Sequence, residues 1–536
     1  MDGFVPFPGD VADRYRSAGY WRGETLAGLL RPFAESTRSR VALVGDSAHT
    51  YGALDAEADR IAGGLFELGI RPQDRVVVQL PNIAAFATVS IALFRLAAIP
   101  VYALPGHRRR EIAYLCNHSE AVAYVVADKH LGFDYEQLAG EVAREVPSLS
   151  HVVVAGKSEN FVTLAHLPES TAELKGPEPG DIAFCLLSGG TTGMPKLIPR
   201  THDDYAYQMR ACAEGLGFGR NDVYLATLPV AHNAALGCPG MLGALAVGGK
   251  TVLSSTGNPA DVFDLITEHG VTLTTLMPPV VALWLEAAEF FDTDFSRLMI
   301  QVGSAHLPEA TARRVLDDLG AGLTHWFGMA EGLLTYTRPG DPPDVVVATQ
   351  GRPLSPDDEI RVVNPDDRDV TPGEVGELLT RGPYTIRGYF RAGEQNRAAF
   401  TADGFLRTGD LVRIRPDGNM VVEGRVKDVI NKGGEKIIAA ELEDIIAGHP
   451  SVRAVAAVAA PDELTGEQVC IFVEPGTEDA PVLNELRGFL QESGIADFKL
   501  PERLEIVRSL PKTTVGKVDK AALRRLLARD DQAGTR

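Results

Sequence analysis

Short valine-rich apolar runs, DRVVVQL (74–80), AVAYVVAD (121–128) and HVVVAG (151–156), read as strands, and longer helix-like stretches such as ATVSIALFRLAAI (87–99) lie between them. Alternating strands and helices restrict the chain to a layered α/β fold. At 536 residues it exceeds one ordinary core, which predicts a large domain with at least one smaller partner.

From GEVGELLTRGP (373–383) to RPDGNMVVEGR (415–425) the pattern changes to β-like alternation broken by PDG and DG turns, and a charged run, GRVKDVINKGGEK, follows. We place the boundary at Gly424, giving an N-terminal core over 1–423 and a small α/β domain over 424–536. In the latter, AAELEDIIAGHP predicts an amphipathic helix, VRAVAAVAAP a strand and LNELRGFLQESG a second helix. No internal repeat is evident, and the polar tail ARDDQAGTR (528–536) is expected to fray.

A hydrophobic fraction of 45% with 23% charged residues is that of a globular chain, and a formal charge of -20 argues against nucleic acid or an anionic membrane as main partner. An anionic ligand would have to be received by local lysines and a metal. Cys116, Cys185, Cys212, Cys238 and Cys470 are scattered without a CxxC pair, so neither a zinc spacing nor a disulfide framework is present, and reduced thiols are expected. The opening MDGFVPFPGDVADRY has acids and no basic-then-apolar run, and no later stretch approaches about 18 uninterrupted apolar residues. A cytoplasmic location is the expectation.

The strongest local signal is LLSGGTTGMPKLIPRTH (186–202), where the apolar strand DIAFCLL runs into three glycines, three hydroxyl side chains and Lys196. Such a loop can wrap backbone N–H groups around phosphates. It is not a Walker A motif, because Met194 and Pro195 precede the lysine and no Lys-Ser/Thr pair opens a helix. Alone it would read as an exposed glycine turn. It is followed in order by WFGMAEG (326–332), TGD (408–410), GRVKD (424–428), NKGGEK (431–436) and PKTTVGK (511–517).

These motifs closely resemble those of the adenylate-forming superfamily: acyl-CoA synthetases, luciferases and the adenylation domains of peptide synthetases. The likeness covers nearly the whole chain, including GYWRGETL (19–26), LPNIAAF (80–86) and FRLAAIPVYALPGHRRREI (94–112). Within the superfamily it is similar to the stand-alone aryl acid-AMP ligases of siderophore pathways, the 2,3-dihydroxybenzoate- and salicylate-activating types. The resemblance implies ATP and Mg2+ as cofactors, an aromatic 2-hydroxy acid as substrate, and a phosphopantetheine thiol of an aryl carrier protein or of CoA as acceptor. Only residues 518–536 follow Lys517, so a carrier protein is expected to act in trans.

By the same resemblance Ser188, Gly189, Thr191, Thr192 and Lys196 hold the β- and γ-phosphates, and Glu331 is the metal ligand, a hard cation preferring carboxylate oxygen. Phe327 stacks on adenine within Trp326, Phe327, Gly328 and Met329, and Gly303, Ser304 and Ala305 form the opposite wall. Asp410 and Arg425 contact the ribose. Lys517 bridges the acid carboxylate and the α-phosphate as charge builds, and after adenylation the small domain rotates about Lys427, or its neighbour Asp428, to bring Lys436 and its loop to the site. Taken singly, each of these charged residues would be a solvated surface group.

The segment TLPVAHNAALGCPG (227–240) matches the one that lines the aryl-acid site, with His232 facing the carboxylate and Asn233 the ortho hydroxyl. Ala234, Cys238, Ala305, Gly328 and Leu334 complete the pocket. Activators of the dihydroxy acid carry serine where this chain has Cys238 and valine where it has Leu334, whereas salicylate activators resemble it at both. A thiol is a poor partner for a 3-hydroxyl, and an ill-paired buried hydroxyl costs about 1–3 kcal/mol, so an acid without it is favoured. Three positions depart from the pattern: Ala234 replaces an aromatic residue, Trp326 a smaller apolar one and His306 a lysine. The missing aromatic wall leaves room for a ring substituent or a fused ring unless Trp326 refills the space, so methylsalicylate, hydroxypicolinate, hydroxyquinaldate and hydroxynaphthoate types stay open. Rival readings are an aryl-CoA ligase of supply or degradation metabolism, a luciferase-type oxidase, and a non-catalytic acid or nucleotide sensor, the last opposed by the complete set of Lys196, Glu331, Asp410, Arg425 and Lys517.

Overall fold

The structure, a computed structural model, describes residues 3–188, 195–305, 307–432, 435–462, 465–476, 480–513 and 516–533. Gly189, Thr191, Thr192 and His306 lie outside the described residues, as does the side chain of Lys436.

The chain divides into two compact units. One spans residues 1–188, 194–359 and 380–406, and the other takes in 360–379 and 407–536. Among the described residues of the first, two large sheets dominate. The seven-stranded sheet runs Leu197–Thr201, Ile182–Leu187, Ile99–Tyr102, Arg75–Gln79, Ala123–Ala127, His151–Ala155 and Val162–Thr163. It is parallel except where the first two strands form an antiparallel hairpin. The nine-stranded sheet runs Arg352–Pro353, Gly332–Tyr336, Gly322–Met329, Met299–Val302, Leu273–Leu276, Val223–Ala226, Lys250–Leu253, Val41–Val44 and Ala48–Thr50.

The helices Tyr51–Glu67 and Ala84–Arg95 share one continuous core with apolar residues of both sheets. Every residue of Ala84–Arg95 except Ala85 is buried, as befits a helix apolar on all sides. The sequence predicts this helix over 87–99, but it ends at Arg95: Ala97 turns left-handed (φ 54) and Ile99 already begins the next strand.

In the second unit the strands Val452–Asp462 and Gly466–Pro475 pair antiparallel, with Arg503–Ile506 added in parallel. Leu442, Ile446, Leu486 and Leu490, from helices Ala439–Ile446 and Leu483–Glu492, fill one core beside that sheet. The first residues of the polar tail continue a helix; residues 534–536 lie outside the described residues. A helix runs Lys520–Ala533, because Leu523 and Leu527 are buried against Val458, Cys470 and Phe472, and that apolar contact outweighs the polar composition of its last turn. Leu527→Ala should therefore destabilise the second unit by about 2–4 kcal/mol. Chemical denaturation would show it as a lower midpoint; an unchanged midpoint would mean the helix contributes no core.

Candidate active site

The hairpin Ile182–Leu187/Leu197–Thr201 presents the glycine-rich loop, and its mouth is closed by two bonds between Ser188 and Lys196. The Ser188 N–H donates to the Lys196 carbonyl (3.0 Å), and the Lys196 N–H donates to Ser188 Oγ (3.0 Å). Lys196 Nζ lies 3.9 Å from the centre of the Tyr389 ring, whose hydroxyl donates to Glu331 Oε1 at 2.9 Å. Burial lowers the pKa of Lys196, and the Glu331 charge opposes that shift. An ammonium and a carboxylate are thus held on either side of one tyrosine, a donor set that fits a phosphate chain with its cation. Among the described residues no group of three or more His, Cys, Asp or Glu could cage a metal, so a cation at Glu331 needs further oxygens from a ligand. Tyr389, in the run RGYF, was not anticipated; no spacing links it to Lys196 or Glu331, which it meets only through the fold.

Glu331 sits in the turn between the strands Gly322–Met329 and Gly332–Tyr336. There the turn is pinned by the Ile386 N–H, which donates to the Glu331 carbonyl (2.8 Å). Gly332 is required: it has φ +134, and a Cβ there would lie 2.4 Å from Thr385 Cα. In the antiparallel register Trp326 opposes Tyr336, Phe327 opposes Thr335 and Gly328 opposes Leu334. Side chains alternate along a strand, so Trp326, Gly328, Leu334 and Tyr336 share one face and half-buried Phe327 takes the other. Met329 ends the strand, half-buried.

The first of these faces meets the segment expected to hold the acid. Ala234, Cys238, Trp326, Leu334, Tyr336 and Cys212 belong to one buried cluster. Gly303 follows the strand Met299–Val302 and lets the Trp326 ring approach its backbone; a Cβ there would be 2.6 Å from Trp326 Cε2. A Cβ on Gly328 would be 2.3 Å from Leu334 Cδ2. Ser304 adopts a left-handed backbone (φ 66), and Ala305 beside it is exposed.

His232 caps the short helix Asn233–Gly237, its Nδ1 accepting the Ala234 N–H at 3.3 Å. A neutral imidazole accepting at Nδ1 carries its proton at Nε2, the polarity a carboxylate oxygen needs. Buried Asn233 is oriented from both ends: Tyr205 Oη donates to Oδ1 (2.9 Å), and Nδ2 donates to Cys238 Sγ (3.6 Å). Gln208 Nε2 donates to the same sulfur at 3.6 Å. Two amides therefore already point at the Cys238 sulfur.

In the second unit Asp410 and Arg425 are cross-strand partners, and Arg425 Nε donates to Asp410 Oδ1 at 2.7 Å. Asp410 is 6% exposed. Lys427 and Asp428 form a single 3-10 turn, and Arg524 from the last helix donates to Asp428 Oδ1 (2.7 Å). Lys436 lies on the strand Glu435–Ile438, opposite Asn431. Lys517 is exposed; its N–H donates to Thr513 Oγ1 (3.2 Å), and its carbonyl accepts from the Thr513 N–H (2.7 Å). Among the described residues no helix is long and apolar enough to cross a membrane.

Residues 30–390 match the AMP-binding enzyme family, and residues 441–517 match the C-terminal domain of AMP-binding enzymes. The chain belongs to this family of adenylate-forming ligases, and its mixed α/β architecture is theirs. Over its whole length it is 49% identical to the 2,3-dihydroxybenzoate-AMP ligase of Bacillus subtilis, covering 99% of that protein. It is 48% identical to a salicylyl-CoA synthase / salicylate adenylyltransferase of a Streptomyces species, over 98% of this chain and 97% of the relative. Among solved structures, apo MbtA of Mycobacterium smegmatis is 47% identical, with a TM-score of 0.76 and 98% of each chain covered.

In the buried cluster that holds Ala234 and Cys238, Tyr384 Oη accepts the Leu334 N–H (3.1 Å) and donates to Asp358 Oδ2 (2.6 Å). Burial pushes the Asp358 carboxyl up to about 7. A carboxyl raised on folding stabilises the folded state fully below its ordinary value near 3.8, and that contribution is lost as pH rises through about 7. The thermal midpoint should therefore fall between about pH 4 and 7, and Asp358→Asn should flatten this dependence. Equal slopes for the two proteins would show that Asp358 ionises freely in the fold.

Proposed function

We propose that the enzyme activates a 2-hydroxyaryl carboxylic acid, with salicylate as the parent substrate, and passes the aryl group to a phosphopantetheine thiol. An acid carboxylate oxygen attacks the α-phosphorus of ATP, and the bond to pyrophosphate breaks. The thiol sulfur then attacks the carbonyl carbon of the aryl-adenylate and AMP leaves, the thiol proton passing to solvent.

The observation that carries this reading is the buried cluster that gathers Ala234, Cys238, Leu334 and Trp326 beside the oriented Asn233 amide. Asn233 receives the ortho hydroxyl, and His232 donates from Nε2 to the carboxylate. The Cys238 sulfur, already approached by two amides, is a weak acceptor and a poor partner for a 3-hydroxyl. Salicylate is therefore selected over 2,3-dihydroxybenzoate, and the similarity to relatives named for each acid leaves these contacts to decide between them.

Ser188, Gly189, Thr191, Thr192 and Lys196 receive the β- and γ-phosphates, with Glu331 holding Mg2+. When bound, the cation neutralises phosphate charge as pyrophosphate departs. Phe327 stacks on adenine, with Trp326, Gly328 and Met329 of the same strand beside it and Gly303–Ala305 as the opposite wall, and Asp410 and Arg425 hold the ribose. Lys517 stabilises charge at the α-phosphate during adenylation. For thioester formation the small domain, taken as 424–536, turns about Lys427 or Asp428 and presents Lys436. The acceptor is an aryl carrier protein in trans or CoA, and thioester assays with each decide which. Five buried free thiols suit a reducing cytoplasmic setting.

Acid-dependent ATP–pyrophosphate exchange over a panel of benzoates tests the substrate. Salicylate should exceed 2,3-dihydroxybenzoate in kcat/KM by about tenfold or more, and Cys238→Ser should narrow that ratio. Preference for the dihydroxy acid would overturn the reading of Cys238 and Leu334. Lys517→Ala should lower exchange by about 100-fold or more, yet leave thiol transfer from preformed aryl-adenylate largely intact. Equal loss in both half-reactions would refute that division of labour.

A further inference from the structure

The chain has three tryptophans. Trp21 Nε1 donates to the Pro383 carbonyl at 2.9 Å and Trp284 Nε1 to the Gly257 carbonyl at 2.8 Å. Trp326 is 5% exposed, and among the described residues no acceptor reaches its indole N–H. A buried N–H without an acceptor is costly, and a tryptophan of this kind ordinarily finds one.

The indole is also held in place. Its fused bond lies against the backbone of Gly303, its six-membered ring faces Gly328, and it stacks on Tyr336 with centroids 6.1 Å apart and planes at 21°. The polar side chains beside Ala234 and Cys238 are paired with one another: Tyr205 with Asn233, Asn233 and Gln208 with Cys238, and Cys212 with Tyr336. Beside Asn233 the cluster expected to line the acid site thus holds one indole donor without an acceptor among the described residues, fixed among apolar side chains, and it shares that cluster with Ala234, whose side chain is small.

Building on the aryl-acid reading above, we propose that Trp326 is a specificity-determining residue whose indole N–H donates to an acceptor atom on the substrate ring. The acid selected is then an ortho-hydroxy aryl acid that carries a proton-free acceptor, a ring nitrogen or an ether oxygen, and plain salicylate is the lesser substrate. An apolar ring set against Nε1 leaves the N–H unpaired, whereas an acceptor of the same size satisfies it, and sites of this kind discriminate strongly between such pairs.

ATP–pyrophosphate exchange with matched acids tests this: salicylate, hydroxypyridinecarboxylates with nitrogen at each ring position, and methoxysalicylates. At least one acceptor-bearing acid should exceed salicylate in kcat/KM. Trp326→Phe, which keeps an aromatic ring and removes the N–H, should reduce that ratio at least tenfold, a change that loss of packing alone would not produce. Salicylate outperforming every acceptor-bearing acid, or a ratio unaltered in Trp326→Phe, would overturn the proposal and assign a water molecule to the indole. If the variant does not fold, the wild-type panel decides alone. Failure of all aryl acids to support exchange would instead remove the aryl-acid reading itself.

Discussion

The guanidinium of Arg200 is fully buried in the larger unit, where it ties together segments distant in sequence. It donates to Asp204 Oδ1 (2.9 Å), to Gln208 Oε1 (2.9 Å), to the Ala330 carbonyl (3.0 Å) and to the Tyr384 carbonyl (3.1 Å). Four residues after Lys196 of the glycine-rich loop, it thereby fixes the backbone next to Glu331, the amide that reaches Cys238, and the tyrosine that holds the Leu334 N–H. A buried ion pair such as Arg200–Asp204 contributes little net stability, because desolvation offsets the Coulomb attraction, and the same burial raises the Asp204 pKa. Its value lies in direction: a planar fork with five donors permits one arrangement of its acceptors. Loss of the guanidinium would leave the buried Asp204 carboxylate with its Thr201 hydrogen bonds but no countercharge, which typically costs about 3–5 kcal/mol, and would free the backbone beside Glu331, Gln208 and Tyr384 together.

Around this hub the pocket is built by backbone approach as much as by side chains. Gly303 and Gly328 have no Cβ because Trp326 and Leu334 occupy that space, so the identities on facing strands are coupled in pairs. A smaller residue at 326 would open a void against Gly303, and a larger one at 303 would displace the indole; close packing makes both costly. The departure of Trp326 from the family pattern is thus tied to its neighbours and is not an isolated exchange.

The layered α/β class was legible because buried strands and helices differ in apolar run length, and the motifs could be placed because each pairs glycines with charged groups in an order that chance does not supply. The grouping of Trp326, Gly328, Leu334 and Tyr336 was half legible: alternation puts 326 with 328 and 334 with 336, but only the register across the turn shows that the pairs face each other. Tyr389, Arg200 and Gln208 were not legible, since each acts through contacts distant in sequence. Nor was the terminal helix, where two buried leucines outweigh a polar composition.

On the proposed assignment, the residues that select the acid lie in one compact unit, together with Lys196 and Glu331, while the ribose contacts and the two lysines of the half-reactions lie in the other. His232, Asn233, Cys238, Trp326 and Leu334 all belong to the larger unit, whereas Asp410, Arg425, Lys436 and Lys517 belong to the smaller. Transition-state stabilisation by a lysine at the α-phosphate is indifferent to what the aryl ring carries, because the reacting carboxylate is common to every acid. Discrimination must therefore arise where the ring is buried, from whether each polar atom of the ring meets a partner. Asn233 and Cys238 are already bonded within the protein, whereas among the described residues no acceptor reaches the Trp326 N–H, so on the proposed reading a ring acceptor there adds a discrimination that the Asn233 and Cys238 contacts do not supply.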